Sequence, residues 1–122
     1  MENEIVINNV EYVRKDSIIM SNEKHIVNGL QYVIIRTQSA GVFSGYLQRR
    51  DGKEVELLKA RRFFQWYGSS TLSQFAQSGT SKPEKCKFPE EVDSIILTEA
   101  IEIIPCSKKA ERCIKGVKVW KA

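Results

Sequence analysis

The chain has 122 residues, of which 42% are hydrophobic and 28% are charged, and its formal net charge is +4. This length fits one domain around one core, and the balanced composition excludes the disordered and fibrous classes. No apolar run approaches the roughly 18 residues that cross a bilayer. Residues 1–4 are acidic rather than a basic leader. We therefore expect a cytoplasmic protein with no membrane partner.

The first part of the chain, residues 1–29, predicts a short hairpin followed by an irregular connection. Two β-branched runs, residues 5–7 and 10–13, flank Asn8-Asn9, a dipeptide that tolerates positive φ. Residues 16–29 show no sustained periodicity. The main body of the domain is expected to span residues 30–122.

Three alternating segments then predict an antiparallel meander. They cover residues 30–37, 42–49 and 54–61, with a turn at residues 38–41. Between the last two, Asp51-Gly52 suits a two-residue primed turn, which would place Arg50 opposite Lys53.

A first short helix is predicted after the meander. Leu72, Phe75 and Ala76 share one helical face, Thr71 and Gln74 have the spacing of a capping box, and Gly79 is a natural stop.

Residues 92–104 are β-rich enough for one further strand, which Pro105 ends. Ser107 can cap a second helix that closes at Gly116, with Ala110, Cys113 and Ile114 facing inward. Residues 117–120 predict a last short strand. The expected fold is therefore α+β, a single domain with an antiparallel sheet and two short helices.

The sequence offers little for catalysis or metal binding. Its single histidine, His25, does not form a recognisable nucleophile-and-base pair with a serine or cysteine. The three cysteines lack the C-x-x-C spacing of zinc sites. Glu54/Glu56 and Glu90/Glu91 are more typical of solvated surface charges than of catalytic pairs. We expect a non-enzymatic protein with reduced, partly buried thiols, no metal and no cofactor.

The segment 61–79 is the strongest candidate for a working surface. Residues 36–87 carry ten basic and four acidic side chains, which favours a local anionic ligand. Within this segment, arginine forks match phosphate oxygens, aromatic rings stack on bases, and a helix start offers N–H donors. The candidate ligand-binding residues are Arg61, Arg62, Phe64, Trp66, Tyr67, Ser69, Ser70, Thr71, Lys109 and Arg112.

A structural role for the same aromatic residues competes with this hypothesis. Four of the five positions 63–67 are aromatic, and a small domain could use them as its core. Alternation along a strand puts Phe64 and Trp66 on one face and excludes Phe63 and Tyr67 from it. At least one of the four aromatic rings should therefore be exposed.

The chain also resembles a family of small bacteriophage and prophage proteins. The resemblance lies in residues 7–14, 41–47, 60–62, 70–76, 83–89, 101–105 and 119–120. Within that group the chain is similar to the anti-Thoeris sponge proteins. The resemblance implies a homo-oligomer, a hexamer being one such assembly, that holds a cyclic ADP-ribose isomer or related cyclic nucleotide near its subunit interfaces. It further implies that the protein blocks TIR-based defence in the host bacterium.

Two other functions fit the same residues. In the first, the arginines and aromatic rings track single-stranded nucleic acid, as in a phage accessory protein. In the second, an exposed aromatic patch docks on a host enzyme and inhibits it. Salt dependence separates the first from a small-molecule pocket, because a strand binder loses affinity steeply as salt rises.

Overall fold

A computed structural model describes residues 29–121 and the backbone of two short strands that precede them. The two short strands are β1 (Val6–Ile7) and β2 (Asn9–Val10), which pair antiparallel. Asn9 pairs with Ile7, so it belongs to a strand and not to the turn that the sequence predicts. The predicted connection 16–29, apart from Gly29, lies outside the described residues, as does His25.

The described part of the main body contains a five-stranded antiparallel sheet and two helices, which confirms the α+β prediction. The strand order across the sheet is β6-β5-β4-β3-β7. The elements, in chain order, are β3 (Tyr32–Thr37), β4 (Val42–Asp51), β5 (Glu54–Phe63), α1 (Leu72–Ser78), β6 (Val92–Leu97), β7 (Ala100–Pro105) and α2 (Lys108–Gly116). A short 3-10 helix, Pro83–Lys85, lies between α1 and β6.

Both helices begin where the sequence predicts. The Thr71 hydroxyl accepts a hydrogen bond from the Gln74 backbone N–H at 3.0 Å, and the Ser107 hydroxyl accepts one from Ala110 at 3.0 Å. Each cap satisfies one of the backbone donors that a helix start leaves without a partner. Ala110 and Ile114 are fully buried, which confirms the inward face predicted for α2.

Three predictions for the main body are wrong, and the first concerns the turn between β4 and β5. The β4–β5 hairpin pairs Asp51 with Glu54, so Gly52 and Lys53 form its turn, and Arg50 pairs with Val55. Gly52 is the first of the two turn residues and has φ +62°, as a type II′ turn requires at that position.

The segment predicted as one strand over residues 92–104 is two strands, β6 and β7, which lie at opposite edges of the sheet. The predicted last strand, 117–120, is reduced to a single parallel bridge between Phe88 and Val119.

The short link between β6 and β7 forces the sheet to curl. Only Thr98 and Glu99 separate the two strands, so their ends lie within about 11 Å of each other. In a flat sheet of five strands the outer pair would lie about 19 Å apart. The edges therefore converge at this end, where the Ala100 N–H also donates to the Lys53 carbonyl at 3.0 Å.

The sheet buries apolar residues on both faces. On the helix face, the core joins the two helices to Tyr32, Ile34, Tyr46, Leu58, Phe63, Phe88 and their neighbours. On the concave face, the core joins residues from all five strands, among them Val33, Ile35, Phe43, Val55, Leu57, Ala60, Leu97 and Ala100. Across residues 29–121, no helix is long and apolar enough to cross a membrane.

A bulge in β5 determines which of its side chains face the helices. Ser44 pairs with Arg61 and Tyr46 with Leu58, so two residues of β5 oppose Gly45 alone. Lys59 lies in the bulge with φ +53°, and its ammonium group donates to Asp93 at 3.0 Å. The extra residue reverses the alternation, so that Leu58, Arg61 and Phe63 all face the helices.

Candidate functional site

Arg61 is a structural residue of the helix face. Its side chain is 4% exposed, and its guanidinium donates to three backbone carbonyls, those of Pro89 (3.1 Å), Ile114 (2.8 Å) and Phe88 (3.3 Å). Burial lowers its pKa, since desolvation penalises the charged form. The sequence predicts Arg61 as a phosphate ligand, but these hydrogen bonds commit it to joining β5, α2 and the segment before β6.

Arg62 faces the opposite side of the sheet and is exposed. Its guanidinium lies over the Phe43 ring, 4.4 Å from the centroid, and Nη1 donates to the Ala40 carbonyl at 2.8 Å. Within the described part of the chain, its Nε and Nη2 atoms make no hydrogen bond or ion pair. The Phe43 ring and the hydrogen bond to Ala40 hold the guanidinium in place. Its free edge, formed by Nε and Nη2, can donate two hydrogen bonds to the oxygens of a carboxylate or a phosphate.

The aromatic residues after Arg62 divide between core and surface. Phe63 stacks on Phe88 at 4.1 Å, and Trp66 packs edge-on against Phe75 at 5.9 Å. Phe64 and Tyr67 are 54% and 48% exposed. The prediction that at least one ring is exposed is confirmed, whereas Trp66 is half-buried against the core.

Phe64 forms an aromatic pair with a residue that the candidate list does not include. Its ring stacks on Trp120 at 4.9 Å with an interplanar angle of 7°, and the Lys87 ammonium lies 5.6 Å from the centre of the Trp120 ring. Phe64, Lys87 and Trp120 are called the aromatic platform below. Trp120 is 56 residues away in sequence, so no spacing rule links it to Phe64. The two meet because residues 87–88 form bridges with both Gln65 and Val119.

Arg62 and Phe64 are two residues apart and both are exposed, whereas Arg61 and Phe63 are buried. β5 ends at Phe63, and Phe64 lies in the bend that follows. The two exposed side chains are therefore close in sequence, but Arg62 contacts the start of β4 and Phe64 contacts the C-terminal segment.

A cleft of about 180 Å³ begins at Arg62. It runs beside β5 toward the start of β6 and carries two charged side chains, those of Arg62 and Glu90, above a largely apolar lining. We call it the Arg62 cleft, and its lining residues are Phe43, Ala60, Arg62, Pro89, Glu90, Val92 and Ile95.

The polar groups at the start of α1 interact with one another. The Gln74 Oε1 accepts from the Ser70 N–H and from the Ser70 hydroxyl, both at 2.7 Å, and the Ser69 hydroxyl donates to the Thr71 carbonyl at 3.3 Å. These local hydrogen bonds occupy donors that the sequence assigns to a ligand.

Lys109 and Arg112 are exposed on α2. Because α2 packs on the helix face, the sheet separates both residues from Arg62. The ten candidate residues therefore do not converge on one point, and Arg62 is the one among them that lines the cleft.

None of the groups of histidine, cysteine, aspartate and glutamate within residues 29–121 is arranged to hold a metal ion. Cys86, Cys106 and Cys113 are free thiols, as the sequence predicts. Burial raises the pKa of Cys106 to about 12, so its thiol stays protonated and unreactive near neutrality.

Comparison with known proteins identifies a family but no characterised relative. No curated protein and no solved structure matches the chain significantly. A family model described as a domain of unknown function, DUF6948, matches residues 30–114, which include the whole described sheet and most of α2. The chain belongs to this DUF6948 family.

Proposed function

We propose that the protein is a non-enzymatic binding protein that captures a cyclic ADP-ribose-type nucleotide. The observation that carries the proposal is the free edge of the stacked Arg62 guanidinium, two residues before the exposed Phe64 ring, which stacks on the half-buried Trp120. A nucleotide presents a planar base and anionic phosphate oxygens a short distance apart. An arginine fork and an aromatic ring on one surface are the protein groups that match this pair of features.

Base stacking and the hydrogen bonds from Arg62 should each contribute substantially to the free energy of binding. Stacking of a base on an aromatic side chain contributes about 1–3 kcal/mol. A hydrogen bond from a charged donor contributes about 1.5–3 kcal/mol. Arg62 loses little conformational freedom on binding, because Phe43 and the Ala40 carbonyl already fix its guanidinium. Lys87 adds a second positive charge at the aromatic platform.

Capture without turnover would act by mass action. A protein that holds a signalling nucleotide lowers its free concentration if the dissociation constant lies below the signalling threshold. In the cytoplasm of a host bacterium, this would block TIR-based Thoeris defence, in keeping with the resemblance to sponge proteins.

Assembly into a homo-oligomer would enclose a ligand that a single open surface covers on one side only. Val92, Ile96 and Ile101 are 44–52% exposed and offer apolar area for such contacts. Binding near subunit interfaces is therefore part of the proposal.

The proposal is tested by calorimetric titration with cyclic ADP-ribose and its isomers. Binding should weaken by at least tenfold in Arg62→Ala, because the charge-assisted hydrogen bonds are lost. Arg112→Ala is the matched control, since it removes an exposed arginine from the helix face. The protein should also release the intact nucleotide when it is denatured after incubation with extract from cells with an active TIR enzyme. Recovery of a hydrolysed product would identify an enzyme instead.

A second candidate function is binding of single-stranded nucleic acid. The aromatic platform favours it, because Phe64 and Trp120 could stack bases while Lys87 and the exposed Lys118 follow a phosphate backbone. The logarithm of the affinity for an oligonucleotide would then fall with the logarithm of salt concentration, at a slope of about 0.7 per neutralised phosphate. Tight oligonucleotide binding with this slope, and no response to cyclic ADP-ribose, would establish the second function over the first.

A further inference from the structure

Arg62 and Glu90 lie opposite each other in the Arg62 cleft. The β5–β6 ladder pairs Ala60 with Val92, and the isolated bridge at Gln65 continues the same antiparallel register. This register sets Glu90 opposite Arg62, and both side chains line the cleft. A positive and a negative side chain therefore face one small space of about 180 Å³.

The two opposite charges do not pair, because the guanidinium is held on the other side of β5. In the sheet, β5 lies between β6 and β4. The Arg62 guanidinium lies over Phe43 in β4 and donates to the Ala40 carbonyl just before β4. Glu90 leads into β6, and it makes no hydrogen bond or ion pair with any residue that the structure describes. The cleft thus has a cation on one wall and an uncompensated anion on the other.

The charge of a phosphate group decides how strongly Glu90 repels it. A phosphate esterified at two positions carries one negative charge near neutrality. A terminal phosphate carries about 1.5–2 negative charges at pH 7, because its second pKa is about 6. Coulomb interaction grows in proportion to the charge. Arg62 alone would therefore favour a terminal phosphate, whereas the Glu90 carboxylate opposes that advantage.

We infer that Glu90 is a specificity residue, which favours the bridging phosphates of a cyclic ADP-ribose-type ligand over the terminal phosphate of other nucleotides. This inference rests on the proposed function. Both phosphates of such a ligand are esterified to riboses, so it has no terminal phosphate. Nucleoside diphosphates and triphosphates all end in one, and they would compete for the same Arg62 guanidinium. A repulsive group beside the binding group lowers the affinity for such competitors more than for the ligand itself.

Titration of the wild-type protein and of Glu90→Gln with cyclic ADP-ribose and with ADP tests the inference. Glutamine keeps the shape of the side chain and removes its charge. The affinity for ADP should rise by about five- to tenfold and that for cyclic ADP-ribose by about two- to threefold, because ADP brings the larger charge to the cleft. Each rise is the ratio of variant to wild type for one ligand, so other differences between the two ligands cancel.

Glu91→Gln is the matched control. Glu91 is the next residue, carries the same charge and lines a different cavity beside Arg61. This substitution should change either affinity by less than twofold. Both glutamates are exposed, so denaturant unfolding should show that neither variant loses stability.

Two further measurements separate charge repulsion from other effects of the substitution. Glu90→Ala removes the same charge without adding an amide donor, so it should give the larger rise for ADP as well. In 1 M salt the Debye length falls to about 3 Å, and the rises in affinity should largely disappear. A rise that persists in 1 M salt would contradict a role through charge.

The outcomes distinguish the inference from the function on which it rests. If the wild-type protein binds cyclic ADP-ribose but Glu90→Gln raises both affinities equally, or does not raise that for ADP, the specificity role is overturned and nucleotide capture stands. Undetectable ADP binding in both proteins also overturns it, because a group other than Glu90 would then exclude ADP. If the wild-type protein does not bind cyclic ADP-ribose or its isomers, the proposed function fails and the inference fails with it.

Discussion

The guanidinium groups of Arg61 and Arg62 lie on opposite faces of the same sheet, although the two residues are consecutive. Arg61 donates to the carbonyl of Ile114 in α2, whereas Arg62 lies over the ring of Phe43 on the concave face. One arginine holds the helix face together, and the other offers a free edge to solvent. Their substitutions should therefore affect different properties of the protein.

Arg61→Ala should destabilise the protein more than Arg62→Ala does. The first change removes three hydrogen bonds, although the Ile114 and Phe88 carbonyls still accept from the backbone N–H groups of Val117 and Trp120, and it should lower the free energy of unfolding by about 2–4 kcal/mol. The second removes an exposed side chain with one ring contact and one hydrogen bond, and should cost about 1 kcal/mol or less. Urea denaturation of the two variants measures both values, and equal losses would contradict the assignment of separate roles.

The aromatic pair predicts coupling between Phe64 and Trp120. Phe64→Ala and Trp120→Ala should each weaken nucleotide binding by about tenfold, since either change removes part of the stacking surface. In a double-mutant cycle on unfolding, the two rings should show a coupling of about 0.5–1.5 kcal/mol. Tyr67→Ala removes a comparably exposed ring that is not stacked on Trp120 and serves as the control. Additive effects of the two substitutions on unfolding would argue against the pair.

Gly45 should be intolerant of a side chain because of the bulge that it faces. A Cβ atom there would lie 3.0 Å from the Leu58 carbonyl oxygen and 3.2 Å from the Ala60 Cα. Gly45→Ala should therefore cost about 1–3 kcal/mol of unfolding free energy. Gly116→Ala is the control, because a Cβ there meets nothing within 4 Å, and alanine in a helix is favoured over glycine by up to about 1 kcal/mol. Opposite shifts of the melting temperature are the expected result.

The stability of the protein should decline as the pH rises from 8 to 10. In the unfolded chain the Cys106 thiol ionises near its ordinary pKa of 9, whereas burial raises the pKa in the folded protein to about 12. The folded state thus retains a proton that the unfolded state releases, so stability present below pH 9 is lost progressively toward pH 12. Urea unfolding at several pH values measures the slope, and Cys106→Ala should flatten it. An identical slope in that variant would rule out this thiol as the cause.

The sequence predicts the local elements well because their signals are local. Thr71 and Ser107 mark the helix starts through the short reach of a hydroxyl to a backbone N–H. The apolar segments of the meander and the turn residues between them place β3, β4 and β5 to within a few residues. The break between β6 and β7 escapes prediction, since residues 92–105 continue β-rich through Thr98 and Glu99. That β6 and β7 lie at opposite edges of the sheet is not a local property, and it shows only in the tertiary structure.

The side chains of the candidate segment 61–79 divide between core and surface for a related reason. The sequence determines that arginines and aromatic rings are concentrated after β5, and that α1 begins at Thr71 and ends at Gly79. Only the tertiary structure decides which arginine is exposed, because the bulge at Lys59 reverses the alternation of β5. It also decides that the Phe64 ring stacks on Trp120, since this contact depends on the hydrogen bond between the C-terminal segment and Phe88. The sequence determines which residue types a segment contains. The exposure of each side chain and the residues that it contacts depend on how distant parts of the chain pack together.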